Sequence, residues 1–295
     1  MERLITIDQK TINKGGPDQY SLPKILRWTG ASREYLMSGV WTSEKPTQKP
    51  DGSRVVFPTI EQFRVAKDTY FAWQELSSRQ TVPPEFPDVT LERLFQSRLR
   101  DKPLTLFVPW GVRPVGTFGQ SEIEALETIE RFSNDLQERK IDAKALIMPA
   151  DLYATEVNNQ VDVSFADAYF QIVTSEAFQK GFAVKPWSAI RQENQETYDK
   201  LRSELNPRAI LPSGILERAL KAAGRRSGYE DDKSIEAAAF AYLQERLCEA
   251  EIIENLYQPI KVSMVMKGKD AYVDRNLPRV YILPERLQFP WLQTI

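Results

Sequence analysis

Between residues 104 and 159 the period of hydrophobic and polar positions changes from strand-like to helical and back. LTLFVPW at 104–110 is a continuous apolar run with the length of a buried strand. A polar loop, GVRPVGTFGQ, follows. Ile123, Leu126, Ile129, Phe132 and Leu136 then recur at helical spacing, and Glu122, Glu124, Glu127 and Glu138 fall mostly off that stripe. KALIMP at 144–149 predicts a second buried strand, which runs into the polar sequence PADLYATEVNN at 149–159.

Further along, the pattern predicts a helix over 163–180, a break at KPWSAI (185–190), a charged helix over 191–205, and a short helix over 214–223 ending at Gly224. A long helix over 234–256 follows the loop RRSGYEDDKS. IKVSMVMKGKD and LPRVYILPE read as a late strand pair that adds antiparallel edge strands. Upstream, SLPKILRW at 21–28 and 59–78 carry helix signals, and the prolines of TVPPEFPDV at 81–89 mark a join. The chain therefore divides into a mainly helical and loop segment, 1–95, and an α/β domain, 96–295. Strand, helix, strand, further helices and late strands predict a Rossmann-like three-layer α/β sandwich with a mostly parallel sheet and a helical N-terminal extension.

Composition narrows the chemistry. The chain of 295 residues has 39 basic and 41 acidic side chains, a net charge of −2, which argues against broad polyanion binding. It has no histidine and one cysteine, Cys248. That excludes Ser-His-Asp and Cys-His catalysis, imidazole or thiolate zinc sites, and protein-held iron–sulfur clusters. Acid–base work falls to Asp, Glu, Tyr, Lys or the thiol. No cofactor motif is evident, and Mg²⁺ on carboxylates is the one metal left open. MERLITIDQK lacks a signal-peptide core and no run has the length of a membrane span, so the expected location is cytoplasmic, away from membranes.

Ligands of α/β proteins bind outside the carboxyl ends of the strands. There the sequence places Trp110, Gly111, Arg113, Gly119 and Ser121 after the first strand, and Asp151, Tyr153, Glu156 and Asn158 after the second. Ser121 is the expected N-cap of the intervening helix, and the glycines permit close approach of an anionic ligand. The spacing is neither a dinucleotide fingerprint nor a phosphate loop. Asp151 suits an amine, a hydroxyl or Mg²⁺, though a helix-capping aspartate would look the same. Tyr242, Glu245 and Glu249 share a helical side, which reads by default as a solvated acidic face partnered by Arg246. Cys248 reads as structural. Arg225, Arg226, Lys233, Lys267 and Lys269 form a basic set that suits phosphate or RNA, but interleaved acids make it an ordinary surface loop by default.

Over about residues 100–295 the order of elements, Ala150-Asp151 with Tyr153, Ile260–Met264 and Pro290–Trp291 resemble the isocyanide synthase family. Those Rossmann-like enzymes convert the amine of an amino acid to an isonitrile using a pentulose phosphate. The chain is also similar to the cyclodipeptide synthase family, which resembles class I tRNA synthetases and uses a serine nucleophile with a helical Tyr/Glu pair. Tyr242 and Glu245 match that pair in type, with a spacing of three instead of four. No serine directly follows the first strand, and family histidines have no counterpart. What the resemblance implies is a site at the ends of the two strands.

The reading is an enzyme acting on an amino-acid-like small molecule, a transferase or synthase of specialised biosynthesis. Asp151 would bind the amine, Arg113 a carboxylate or phosphate, and Tyr153 or Glu156 would move protons. Trp110, Gly111, Gly119, Ser121, Asn158, Tyr242 and Glu245 would line the substrate. The rival is a noncatalytic nucleotide- or RNA-binding protein, with tRNA among its partners. A homo-oligomer built on the N-terminal segment is the third reading.

Overall fold

The computed structural model describes residues 103–112, 118–157, 161–225, 231–263 and 277–282, together with 89, 90, 93, 94, 97, 273 and 274. Most of the N-terminal extension, with its tryptophans, lies outside them, as do Arg113, Asn158, Arg226, Lys267 and Lys269. The chain enters at β1 (Leu104–Trp110), crosses through α1 (Gln120–Glu138) and returns in β2 (Ala143–Pro149). A π-helical turn (Tyr153–Val157), α2 (Val163–Gln179) and the short β3 (Ala183–Val184) follow. Next come α3 (Trp187–Glu193), α4 (Gln195–Glu204), α5 (Pro207–Ile210), α6 (Ser213–Ala223) and α7 (Asp232–Tyr257), before β4 (Ile260–Ser263) and β5 (Arg279–Tyr281).

Among the described residues five strands lie in the order β3-β2-β1-β4-β5, and every pair is parallel. β1 and β2 register from Leu104 opposite Ala143 to Trp110 opposite Pro149. The expected antiparallel pairing of the late strands is therefore corrected: β4 and β5 run parallel, Lys261 to Ser263 opposite Arg279 to Tyr281. Both strands continue the parallel register of the central sheet.

Alternation sorts the side chains into two layers. Leu104, Leu106, Val108 and Trp110 of β1 join Ala143, Ala145 and Ile147 of β2 in a core with α1 and α2. Phe107, Leu146 and Met148 point to the other face, against Trp187, Ile190, Tyr198 and the Cys248–Ile253 stretch of α7. Leu94, upstream of β1, also belongs to the first core, and Arg93 donates to both carboxylate oxygens of Glu254 at 2.6 and 2.8 Å. α6 packs on the outer N-terminal half of α7 through Ile215, Ala219, Ala238, Ala239 and Leu243.

Two helix boundaries differ from expectation. The break at KPWSAI is a helix start: α3 begins at Trp187, whose ring is fully buried, and a new helix begins at Gln195. The cap of α1 is Gly119, with Ser121 already inside the first turn. Glu122, expected off the apolar stripe, is 4% exposed because its Oε2 turns back to accept from the Gly119 N–H at 3.0 Å.

Candidate functional site

The strand order reverses direction between β1 and β4. Such a switch point opens a crevice above the carboxyl ends of the strands, the usual ligand position in open α/β sheets. Trp110 and Gly111 end β1 there, and Ala150 and Asp151 follow β2 beside them, the Ala150 N–H donating to the Trp110 carbonyl at 2.8 Å. Among the described residues, a Cβ on Gly111 would meet nothing within 4 Å.

Several of the residues singled out in the sequence hold the crevice together. The Trp110 indole donates to the Tyr169 hydroxyl at 3.1 Å, and that hydroxyl lies 3.5 Å from Glu122 Oε1. Gly119 and Ser121 both reach Glu122 Oε2, Ser121 through its hydroxyl at 3.2 Å. This network pins the end of β1 to the starts of α1 and α2. Asp151 is half-buried, and its Oδ1 accepts the Ser188 N–H at 3.1 Å. The capping reading of Asp151 is thus met, for α3 instead of its own turn. Glu156 is exposed, and Tyr153 on the same π-helical turn is buried at 6% exposure. The structure does not bring those two together. π-helical turns of this kind recur at functional sites.

Tyr153 instead points into the layer between sheet and α7. Its ring meets Tyr242 edge-on, centroids 5.9 Å apart, and the Arg246 guanidinium lies 5.8 Å from its centroid. Below it the sheet presents Lys261 and Arg279 side by side, in the register row that begins with Phe107. Both cations are buried and reach Asp274, Lys261 Nζ at 2.5 Å. Arg246 bridges the group, with Nη2 2.8 Å from Asp274 Oδ1 and Nη1 3.0 Å from Glu249 Oε1. The polar atoms of this cluster that make no hydrogen bond of full geometry among the described residues include Tyr153 Oη, Glu249 Oε2 and Arg246 Nε.

Burial and mutual fields set the charges. Burial, then the neighbouring Glu249 carboxylate, pushes the Tyr153 phenol well above its usual range. Burial raises Glu249 against the pull of Arg246 and Lys261. It also draws Lys261 down to about 8, with Asp274 resisting. Asp274 itself is held below the ordinary carboxylate range, because Lys261, Arg246 and Arg279 outweigh its burial.

The solvated acidic face expected on α7 is a correction. Glu245 is 5% and Glu249 1% exposed. Glu245 accepts the Trp187 indole at 2.7 Å and the Tyr198 hydroxyl at 2.5 Å, with Arg191 at 3.6 Å, and so ties α3 and α4 to α7. Tyr242, half-buried, is the member of the helical pair that reaches Tyr153. Cys248 is fully buried and its thiol is pushed up to about 12 by that burial, in keeping with a structural role. Arg225 and Lys233 are exposed. Among the described residues no group of acidic or cysteine side chains could hold a metal ion, and no helix is long and apolar enough to cross a membrane.

The charged residues of β4 and β5 were missed in the sequence. A lysine within IKVS and an arginine opening RVY are the available signal, since buried strands rarely carry cations without partners.

Neither a protein-family model nor a curated protein sequence matches this chain. Its remote resemblance to the isocyanide synthase and cyclodipeptide synthase groups has counterparts among solved structures. The PvcA protein from Pseudomonas aeruginosa is 12% identical, over 78% of this chain and 87% of that one, with a TM-score of 0.47. A cyclodipeptide synthase from Candidatus Glomeribacter gigasporarum, bound to Phe-tRNAPhe, is 13% identical over 63% and 89%, with a TM-score of 0.42. Tyrosyl-tRNA synthetase from Archaeoglobus fulgidus, complexed with L-tyrosine, is 14% identical, and this chain spans 64% of it (73% of this chain, TM-score 0.48). The likeness is one of Rossmann-like fold and says nothing of chemistry.

Proposed function

We propose that the protein is an enzyme acting on an amino-acid-like small molecule, a transferase or synthase, with its site on the α7 side of the crevice above β1, β2 and β4. The observation that carries the reading is the set of polar atoms without a full hydrogen bond among the described residues, Tyr153 Oη, Glu249 Oε2 and Arg246 Nε, buried directly beside a strand-end π turn. Folded proteins leave few buried polar groups unmatched, and those that remain concentrate where a ligand completes them. Tyr153 Oη and Arg246 Nε offer donors, and Glu249 Oε2 an acceptor or, when protonated, a donor, so a group that carries both an amine and a carboxylate answers both kinds. Tyr153 takes the proton-handling role, and the Gly111 backbone forms the outer wall. Arg113 and Asn158 remain candidates for the anionic end of the substrate. Asp151 serves the crevice first by anchoring α3, and Glu156 sits outside it.

The test is saturation-transfer NMR on a mixture of the twenty amino acids with wild-type protein and Tyr153→Phe. The reading predicts transfer to a small subset of amino acids with wild type and its loss in Tyr153→Phe. Equal transfer to both proteins, or to neither, would sink it.

A further inference from the structure

The strand-end reading uses Glu249 only through one oxygen and gives its proton no part in the chemistry. It is a carboxyl group in the middle of a 26-residue helix, 1% exposed, with one oxygen tied to Arg246 and the other making no full hydrogen bond among the described residues. A helix core position of this kind ordinarily carries an apolar residue, because a buried carboxylate costs several kcal/mol unless fully matched. Glu249 and the Tyr153 hydroxyl face each other closely enough that, beyond burial, a shared side-chain hydrogen bond raises the phenol and draws down the carboxyl, while neither Oη nor Oε2 makes a hydrogen bond of full geometry among the described residues.

We propose that Glu249 is a positioning residue that shares a proton with Tyr153, and that Arg246 holds its carboxylate in place by its other oxygen. This deepens the strand-end reading and rests on it for the substrate. When a ligand reaches the phenol past the half-buried Tyr242 ring, the Tyr153 O–H bond breaks toward a basic atom of that ligand. The Glu249 proton transfers to the Tyr153 oxygen in the same step, so the phenol is regenerated. The carboxylate that remains is matched by Arg246, and the return step restores its proton from an acidic atom of the bound species. No electrons change hands.

The charges around the pair come from every element packed on it. Arg246 and Glu245 lie on α7, Lys261 on β4, Asp274 before β5 and Arg279 on β5, with Tyr242 over the phenol. Arg246 is itself fixed by Asp274 at 2.8 Å, so the guanidinium cannot turn away from Glu249 without breaking a buried ion pair. That rigidity separates a positioned pair from an incidental neighbour.

The pair can be tested without knowing the substrate. Ring-labelled tyrosine places ¹³C at the phenolic carbon of Tyr153, assigned by its loss in Tyr153→Phe, and its shift is followed from pH 4 to 9. A proton-sharing pair predicts one inflection in that range, above the ordinary carboxylate region, absent in Glu249→Gln and displaced in Glu249→Asp. A flat Tyr153 signal in the wild type, or the same inflection in Glu249→Gln, overturns the proposal. If Glu249→Gln fails to fold, carboxyl-labelled glutamate reads the pair from the other side: the Glu249 titration must move by at least half a pH unit in Tyr153→Phe. An unmoved titration overturns it as well. An inflection in a protein that binds no amino acid would leave the pair standing and remove the substrate assignment alone.

Discussion

At the scale of single residues, two carboxylates four positions apart on α7 have opposite standing. Glu245 is fully matched: an indole, a phenol and a guanidinium surround it. Its loss leaves buried donors unpaired, so Glu245→Ala is expected to destabilise the protein by about 3–5 kcal/mol in urea unfolding. Glu249 is half matched, and the Tyr153 hydroxyl beside it makes no hydrogen bond of full geometry among the described residues. Tyr153→Phe removes a hydroxyl whose one contact is the weak bond with Glu249, so stability should change by no more than about 1 kcal/mol while ligand binding is lost. A destabilisation comparable to that of Glu245→Ala would mean the hydroxyl is structural. Tyr153 was legible in the sequence because it follows a strand end. Glu249 was visible as a helical neighbour but read as solvated, since nothing in ERLCEAE shows that α6 and the sheet cover the helix on both sides.

At the scale of elements, β1, α1, β2 and α2 were readable because each carries one unbroken period. Trp187 was not, because proline before it resembled a break; Pro186 in fact sits at the N-cap, where a missing N–H costs nothing. The cap itself comes from Asp151, 37 residues upstream, and no local signal shows a partner at that distance. Asp151→Ala should therefore lower stability by about 1 kcal/mol, and Asp151→Asn should restore most of it by keeping an acceptor. Thermal unfolding of the two variants decides this, and equal loss in both would show that the carboxylate charge matters more than the cap. The late strands were placed correctly in sequence but in the wrong direction. Their parallel pairing follows from the row Phe107, Lys261, Arg279, in which each side chain continues the same face of the sheet.

At the scale of the molecule, the charged layer between sheet and α7 makes stability depend on pH at both ends. Asp274 titrates lower in the folded chain than unfolded, so its stabilisation is present above about pH 4 and is lost as pH falls through the folded value. Lys261 behaves in the opposite sense. Its folded value of about 8 lies below the unfolded one, so the unfolded chain binds more protons between these values. Stability should then climb from pH 8 toward 10, by at most about 1.4 kcal/mol per pH unit, and the climb should vanish in Lys261→Met. Denaturant midpoints across pH 3–10 measure both limbs, and a flat profile would mean that the cluster is solvated.

The central claim is that this buried layer serves chemistry on an amino-acid-like molecule. It is tested most directly by feeding isotope-labelled amino acids to cells that express either the wild-type protein or Tyr153→Phe at matched abundance. Comparing all labelled metabolites, the account predicts a compound derived from one amino acid that appears with wild type and is absent with Tyr153→Phe. The same labelled compounds in the same amounts from both cultures would contradict it.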